Sequence, residues 1–326
     1  MAEFPGRPEP PLRLALSDCL LGNEVRYDGS GARSSFPHAV LSGLYQFRGI
    51  CPEVGIGMPV PRPPIRLVDR DGIRAVGVAR RDLDYTDALT TFAERQVAGL
   101  GDVSGYVFMK NSPSCGLFRV KVYREADGGG VSGAPGRSGR GIYAAALARA
   151  LPDLPMEETG RLNDDVLREN FVMRTFAYAH WRRLLAEGLS RGRLVEFHSR
   201  YKYLLMAHSV PAYQEAGRLL SNLREDFDTK AATYFSLLMK GLAVPASRGG
   251  HANVLAHLQG YLKRVLDSDA RQELAALISA YRRGEQPLLA PLALLRHHLR
   301  RYPDEYLLYQ SYLDPHPEAA GLRRPL

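Results

Sequence analysis

The alternation of apolar and polar positions changes character near the middle of this chain. In the first half, short apolar runs at residues 13–17 and 105–110 predict buried strands, and the strict alternation of residues 118–123 predicts a strand with one buried face. Residues 65–78 hold two more strand-like runs on either side of Asp71-Gly72, a dipeptide typical of hairpin turns. We therefore expect several strands in this half.

Segments with helical spacing lie between these strands. Residues 82–99 and 142–151 repeat their apolar positions as amphipathic helices do, and the second one ends just before Pro152. The glycine- and serine-rich residues 126–141 predict a flexible loop. Strands that alternate with helices indicate an α/β domain, and ligand sites in such domains lie beyond the carboxyl ends of the strands.

The pattern becomes purely helical from about residue 164. The predicted helices are 164–188, 193–208, 212–222, 228–242, 251–267 and 269–284, with breaks at Pro211, 245–250, Pro287 and Pro291. Neither a strand pattern nor a repeat of fixed period is present, so the second half predicts an all-α domain. We expect residues 1–157 and 158–326 to be the two domains.

Charge is distributed unevenly between the halves. The chain carries 43 Lys and Arg against 35 Asp and Glu, a net charge of +8, and residues 191–301 hold 17 basic and 9 acidic residues, which accounts for the whole excess. Solvated helix faces are one interpretation of this excess. A surface that binds a polyanion is the other.

Composition also bears on the compartment. No run of about 18 apolar residues is present, and the N-terminal residues lack the apolar segment of a signal peptide. An odd and low cysteine count is typical of reduced thiols rather than of a disulfide framework. These features predict a cytoplasmic protein without a membrane span.

The three cysteines of the chain each stand in a short motif marked by glycine or proline. Cys19 lies in S-D-C-L-L-G, Cys51 in G-I-C-P-E-V-G-I-G and Cys115 in K-N-S-P-S-C-G. A lone cysteine is often only a small buried hydrophobe, and structural zinc would need four ligands, usually in C-x-x-C pairs that this chain lacks. Three thiolates would leave one iron of a four-iron cluster without a protein ligand, and sulfur is the softest atom a substrate can offer it.

Polar residues accompany these cysteines. Glu53, two residues after Cys51, is either a general acid/base or a solvated carboxylate at a strand end. Ser112 and Ser114 lie within the third motif, where serine is also common because it forms local hydrogen bonds in turns. Arg26 follows the first motif and can bind a carboxylate or a phosphate.

The motifs of the first half resemble the thiouracil desulfidase family over residues 1–155. The matching stretches are S-D-C-L-L-G-N-E-V-R-Y-D-G, C-P-E-V-G-I-G-M-P-V-P-R-P-P-I-R-L and K-N-S-P-S-C-G. The resemblance implies a Rossmann-like sheet with flanking helices and a 4Fe–4S cluster on Cys19, Cys51 and Cys115. It also implies that the open iron takes a thiocarbonyl sulfur, which water replaces without redox change. Glu53 would be the acid/base and Ser112 the assisting hydroxyl, with Ser114 as the alternative.

The second half resembles the YbgA-type domain over residues 185–315. The matching stretches are F-H-S-R-Y-K-Y-L-L-M-A-H-S, H-A-N-V-L-A-H-L-Q-G-Y-L and Y-R-R-G-E-Q-P-L-L-A-P-L-A-L-L-R-H-H. The fusion of both halves is similar to bacterial tRNA 4-thiouridine desulfidases, which implies tRNA as partner and no flavin or S-adenosylmethionine. The expected RNA-binding residues are Arg200, Lys202, His208, His251, Lys263, Arg264, Arg296 and His297, each of which is alternatively a solvated helix residue or a histidine of the core.

Two further interpretations stay open at this level. The enzyme could act on free thiolated bases, or the chain could be an iron–sulfur or RNA-binding sensor without catalysis. For a flipped thiobase, Tyr27, Phe36 and Tyr45 are candidate stacking partners and alternatively residues of the core. The absence of C-x-x-x-C-x-x-C from the sequence argues against a radical enzyme.

Overall fold

The computed structural model describes residues 6–33, 41, 43–80, 82–126, 130–317 and 322–323. The chain divides into two compact units. The α/β unit comprises Glu9–Asn163, and the helical unit comprises Asp164–Leu326 together with the residues up to Pro8. The predicted fold class, an α/β domain followed by an all-α domain, is confirmed.

A parallel sheet forms the centre of the α/β unit. Its strands are β1 (Leu12–Ser17), β2 (Tyr45–Ile50), β5 (Tyr106–Phe108) and β8 (Met156–Glu158), in the order β2-β1-β5-β8. Ser17 at the end of β1 is in register with Ile50 at the end of β2, and Leu16 is in register with Val107 of β5. The carboxyl ends of these three neighbouring strands therefore lie together at one edge.

A second, mixed sheet completes this unit. Its strands are β3 (Ile65–Asp69), β4 (Ile73–Gly77), β6 (Val120–Ala126) and β7 (Gly130–Gly139), in the order β4-β3-β6-β7. The antiparallel pair β3–β4 confirms the predicted hairpin. The prediction of a loop over 126–141 is wrong, because β7 pairs with β6 there. Its glycines suggested a loop but allow close packing instead: a Cβ on Gly139 would lie 2.4 Å from Val122 Cγ2.

Three helices in the described part of the α/β unit pack beside these sheets. They are α1 (Pro52–Gly55), α2 (Thr86–Gly99) and α3 (Ile142–Ala150). Aromatic rings fill the space between α3 and the parallel sheet. Tyr106 and Phe108 stack with their ring centroids 4.0 Å apart, and Tyr143 of α3 meets both rings edge-on. All three side chains are fully buried.

The helical unit is a bundle around an apolar core. Its helices are α4 (Asp165–Ala186), α5 (Arg191–His208), α6 (Val210–Leu220), α7 (Phe227–Leu242), α8 (Arg248–Tyr261), α9 (Ser268–Arg283), α10 (Leu289–Arg301) and α11 (Glu305–Leu308). Trp181 stacks on Phe235 in the core, with 4.8 Å between ring centroids. The breaks expected at Pro287 and Pro291 hid α10, because Pro291 lies in its first turn, where proline is tolerated. None of the helices in the described ranges has the length and apolar character that crossing a bilayer requires.

Candidate metal centre

Each cysteine follows one of three neighbouring parallel strands. Cys19 lies in a short 3₁₀ helix directly after β1, Cys51 stands between β2 and α1, and Cys115 lies in the loop after β5. The sequence pattern predicted the strands before Cys19 and Cys115 but missed β2, which precedes Cys51. Because these strands are adjacent and parallel, their loops converge at the carboxyl edge of the sheet.

The converging loops enclose one cavity of about 420 Å³, a size typical of ligand pockets. All three cysteines line this cavity. Five further candidate residues of the α/β unit line it as well, namely Arg26, Tyr27, Glu53, Ser112 and Ser114. The structure thus brings together the three proposed ligands, the proposed acid/base and both serines.

Burial keeps the three thiols from ionising on their own. It raises the pKa of Cys19 to about 11, and the nearby Cys51 thiol adds to this shift. Burial also raises the pKa of Cys51 and of Cys115, and each of these thiols feels the charge of a neighbouring acidic group. Three buried thiols that repel one another as thiolates fit a cationic, thiophilic group, because bound metal deprotonates its thiol ligands.

The arrangement of the three cysteines around one cavity fits a cluster of iron and sulfur. Within the described part of the chain, no three His, Cys, Asp or Glu side chains are grouped to hold one metal ion. Cys19, Cys51 and Cys115 share a cavity instead. In a four-iron cluster each thiolate binds a different iron, so its ligands surround a group of atoms rather than one ion.

Glu53 has both carboxylate oxygens hydrogen-bonded at the cavity wall. The Ser114 hydroxyl donates to Oε1 at 2.6 Å, and the Arg62 guanidinium donates Nε–H to Oε2 at 2.8 Å, with Nη2 2.7 Å from the same oxygen as an ion pair. The Arg62 side chain is only 3% exposed, and its Nη2 also donates to the Val25 carbonyl at 3.0 Å. Sequence reasoning missed Arg62, although a lone cation between prolines in the matched motif V-P-R-P-P was a signal for it.

The two serines of the third motif have different roles in the structure. The Ser112 hydroxyl oxygen accepts the backbone N–H of Cys115 at 3.0 Å and lies 3.0 Å from Ser114 Oγ. Since the single Ser114 proton is donated to Glu53, Ser112 is the donor between the two hydroxyls. Ser114 is therefore the direct partner of Glu53, and Ser112 stands one hydrogen bond further away.

The N-terminus of α3 holds the Cys115 loop. Gly141 donates its N–H to the Gly116 carbonyl at 2.7 Å, and Ile142 donates to the Pro113 carbonyl at 3.0 Å. These N–H groups have no partner inside the helix, so the loop carbonyls satisfy them. A Cβ on Gly141 would lie 2.5 Å from the Ser114 carbonyl, so only glycine permits this approach.

Ser17 is a second residue that sequence reasoning missed. It is buried at the end of β1, where its hydroxyl accepts the Met109 N–H at 2.9 Å. The same hydroxyl hydrogen-bonds to the Cys115 thiol and partly offsets the rise in its pKa caused by burial. The position of Ser17, at the end of an apolar run two residues before Cys19, was the available signal.

The candidates for stacking on a base fall in different places. Tyr27 is 44% exposed at the cavity, with the Arg26 guanidinium 5.8 Å from its ring centroid. Tyr45 is 3% exposed and belongs to the core, as its alternative interpretation proposed. Phe36 lies outside the described residues.

The histidines proposed for an RNA-binding face differ in exposure. His251 is 8% exposed, with Nδ1 3.1 Å from the Tyr312 hydroxyl, and burial lowers its pKa to about 3. His208 donates Nδ1–H to the Val244 carbonyl at 2.6 Å, and burial lowers its pKa too. The prediction that His251 belongs to a basic face is therefore wrong, because this ring is internal. His208 is half-buried, and its Nδ1–H is used by the Val244 carbonyl, so it does not fit such a face either. His297 of α10 is exposed.

The proposed cations of the helical unit lie nearer the surface. Arg200 is 4.9 Å from the Tyr309 ring centroid, and Lys202 Nζ is 5.0 Å from the centroids of two tyrosines. Lys263 and Arg264 are exposed on a short 3₁₀ helix after α8. Arg296 is partly buried and donates to the Leu313 carbonyl.

Comparison with known proteins finds relatives of both units. Residues 14–159 match the family model of 2-thiouracil desulfurase, and residues 202–317 match that of a family of unknown function, DUF1722. The uncharacterized protein YbgA of Escherichia coli (strain K12) is 41% identical over 157 residues, which are 48% of this chain and 93% of YbgA. A solved 4Fe–4S-dependent thiouracil desulfidase, TudS, is 28% identical, and the alignment covers 47% of this chain and 94% of TudS at a TM-score of 0.37. The fusion of a desulfidase-type domain with a YbgA-type domain, predicted from the motifs, is confirmed.

Proposed function

Since the chain belongs to the family of Escherichia coli YbgA and carries a desulfidase-type domain before that part, we propose that it is an iron–sulfur-dependent desulfidase that converts 4-thiouridine in tRNA to uridine. The observation that carries this proposal is the single cavity lined by all three cysteines and by Glu53. Removal of a thiocarbonyl sulfur needs thiolate ligands for a thiophilic metal centre, and it needs a carboxylate that can exchange a proton with a hydrogen-bonded hydroxyl.

Cys19, Cys51 and Cys115 are the proposed ligands of a 4Fe–4S cluster. With three protein ligands, the bound cluster supplies one open iron, a Lewis acid that can take a thiocarbonyl sulfur and polarise the carbon–sulfur bond. The protein contributes their convergence: strands β1, β2 and β5 end side by side, and α3 fixes the loop of Cys115.

Glu53 is the proposed proton acceptor for the attacking water. Arg62 holds Oε2 through one charged hydrogen bond from Nε and through the ion pair with Nη2, so the carboxylate is kept in one orientation at the cavity wall. Oε1, with its bond from Ser114, is the atom that takes the proton. A hydroxyl both donates and accepts, so Ser114 and Ser112 can reorient together and carry that proton back to the cavity.

The overall exchange is balanced without an electron donor. Water supplies the oxygen of the new carbonyl, the carbon–sulfur double bond is broken, and sulfur leaves as hydrogen sulfide or its anion. The carbon keeps its oxidation state. Both protons of water end on sulfur when it leaves as hydrogen sulfide, and one of them is released to solvent when it leaves as the anion; Glu53 Oε1 holds one proton in transit.

The assignment of tRNA as substrate is supported by the charge of the helical unit. The whole net charge of +8 comes from residues 191–301. Phosphate contacts from Lys and Arg dominate the affinity of proteins for nucleic acids. A free thiolated base carries no phosphates and would not use such a surface. It is the second candidate substrate, because the residues of the proposed chemistry all lie at the cavity.

A comparison of two substrates tests this function. Anaerobically reconstituted protein is given either tRNA with 4-thiouridine or free 4-thiouracil, and loss of the thiobase absorption in the near ultraviolet is followed, with Cys51→Ala as control. We expect loss on tRNA that requires the cluster and stops in the variant. Loss on the free base alone would move the substrate to the second candidate, and loss on neither would contradict an enzyme and favour a sensor.

A further inference from the structure

Four tyrosines form a cluster on the helical unit that the proposed chemistry does not use. We call it the tyrosine surface: Tyr203 of α5, Tyr261 of α8, and Tyr306 and Tyr309 at α11. Tyr261 stacks on Tyr306 with ring centroids 5.6 Å apart, and its hydroxyl lies 3.0 Å from that of Tyr203. Tyr261 is 43% exposed and Tyr309 is 61% exposed, so large aromatic faces meet solvent.

Cations accompany these rings. The Lys202 ammonium lies 5.0 Å from the ring centroids of both Tyr203 and Tyr306, and the Arg200 guanidinium lies 4.9 Å from that of Tyr309. Both contacts are within the range of cation–π attraction, which fixes the charges beside the rings. Lys263 and Arg264 follow Tyr261 closely in the chain and are exposed.

A cavity of about 500 Å³ lies beside Tyr309, lined also by Arg200, Tyr306 and Gln310. Gln310 is 2% exposed, and its Nε2 donates to the carbonyls of Ser199 and Tyr306, both at 3.1 Å. Because both partners are acceptors, the amide orientation is fixed and Oε1 is an acceptor. Oε1 has no hydrogen-bond partner among the residues that the structure describes.

These groups match the chemistry of an unpaired nucleotide. Every base has a flat π-face that stacks on tyrosine or on a guanidinium plane, and its phosphates attract Arg and Lys. Gln310 Oε1 is covered by protein atoms and takes no part in this match. Glu196 lies 3.7 Å from Arg200 on the rim and offsets part of its charge, so the aromatic ring has to supply much of the recognition.

We propose that the tyrosine surface binds an unpaired nucleotide of RNA, with the base stacked on Tyr309 and a neighbouring phosphate beside Arg200. This inference rests on the proposed function for the identity of the RNA as tRNA. It concerns binding only and does not require the cluster.

The test is the affinity of the full chain for a fluorescently labelled, unmodified tRNA, measured by anisotropy at several salt concentrations. We expect Tyr309→Ala to weaken binding about 10-fold, as loss of one stacked base does, and Tyr309→Phe to bind like the unaltered chain. Leu308→Ala is the matched control, because Leu308 is the adjacent residue and is 53% exposed. Arg200→Ala is expected to lower the slope of log affinity against log salt by about one.

The outcomes separate this inference from the proposed function. If the unaltered chain binds tRNA and Tyr309→Ala binds it equally well, the tyrosine surface does not bind RNA and serves another partner, such as an acidic protein, while the proposed function is untouched. If the unaltered chain binds no tRNA, the inference is overturned. If Tyr309→Ala loses affinity but the unaltered chain leaves 4-thiouridine in tRNA intact, the inference stands and the proposed function fails. Turnover of free 4-thiouracil should be the same in Tyr309→Ala and the unaltered chain.

Discussion

Both units bury a glutamate against an arginine, and the two pairs differ in what surrounds them. Glu53 and Arg62 of the α/β unit stand at the wall of the cavity of about 420 Å³ that the three cysteines line. Glu169 of the helical unit is held by Arg323 at 2.9 Å and has His316 Nε2 3.3 Å away, without hydrogen-bond geometry.

A catalytic carboxylate and a structural one differ in the groups around them. Glu169 borders a cavity of only about 110 Å³, and its partner in a hydrogen bond is the Arg323 guanidinium, so this pair serves to hold the charge inside the bundle. Arg323 and His316 lower its pKa far below the ordinary value, although burial alone would raise it. Glu53 has one oxygen fixed by Arg62 and the other bonded to a hydroxyl that can move a proton. The surroundings of a buried carboxylate therefore indicate its role better than its burial does.

The largest expected effect is on the rate of desulfuration, in which variants of the two glutamates should differ. Glu53→Gln removes the proposed proton acceptor and should lower the rate of desulfuration about 10²- to 10⁴-fold. The iron content of the reconstituted protein should stay unchanged. Glu169→Gln, measured on free 4-thiouracil, should keep the rate of the unaltered chain, and equal losses in both variants would remove the distinction.

The next effect distinguishes the buried pair of the helical unit from an exposed one. Glu169→Gln leaves the Arg323 charge buried without its partner and should lower the free energy of unfolding by about 3–5 kcal/mol. Glu187→Gln removes the exposed partner of Arg183 and should cost about 0.5 kcal/mol or less. Fluorescence of Trp181, the single tryptophan, reports on this unit alone during urea unfolding. Equal losses in the two variants would contradict a special role for the buried pair.

A glycine substitution tests how the α/β unit shapes its cavity. Gly141→Ala places a methyl group 2.5 Å from the Ser114 carbonyl, so the Cys115 loop has to shift. We expect a loss of about 1–3 kcal/mol in stability, typical of overpacking, and less iron bound per chain. Gly217→Ala in α6 has open space around its Cβ and should leave the iron content unchanged. Full iron content in Gly141→Ala would show that the loop tolerates the shift.

The last expected effect is the acid sensitivity of the helical unit. Burial lowers the pKa of His251 to about 3 and that of His198 to about 4; Arg323 and His208 add to the first shift and Glu169 opposes it. The unfolded rings titrate near pH 6.5, so this stability is fully present above about pH 6.5 and is lost as pH falls toward the folded pKa values.

Between the folded and unfolded pKa values, the free energy of unfolding is expected to fall by about 1.4 kcal/mol per pH unit for each histidine. It is measured by urea unfolding at pH 7, 6 and 5 with Trp181 fluorescence. His251→Gln should reduce the slope, and the exposed His297→Gln should leave it as it is. An unchanged slope in His251→Gln would mean that this ring takes up its proton in the folded state.

The sequence predicted the α/β site better than the helical surface. The three cysteine motifs, Glu53 and the serines are local signals, and parallel strands bring the ends of such segments together whatever lies between them. Ser17 was missed because its role depends on a contact with Met109, which is distant in the chain. Arg62 was missed because the motif V-P-R-P-P does not show that the chain turns back to place Arg62 against Glu53.

In the helical unit, the net charge of residues 191–301 predicted a basic surface but did not show which residues would form it. His208 and His251 share helices with exposed cations, and only the packing of those helices shows that His251 is internal and that the Val244 carbonyl holds the half-buried His208. Tyr309 was not considered from the sequence, because its importance comes from Arg200, more than a hundred residues earlier. Strand β7 was missed for a similar reason, since its pairing with β6 outweighs its glycine-rich composition.

The most direct test of the central claim is Mössbauer spectroscopy of the anaerobically reconstituted, iron-57-labelled chain with and without 4-thiouracil. The account predicts a four-iron cluster in which one iron differs from the other three, and a change confined to that iron when the thiobase is added. Cys51→Ala should bind little or no cluster. Four equivalent irons that do not respond to the thiobase would contradict the account, because every iron would then be held by the protein.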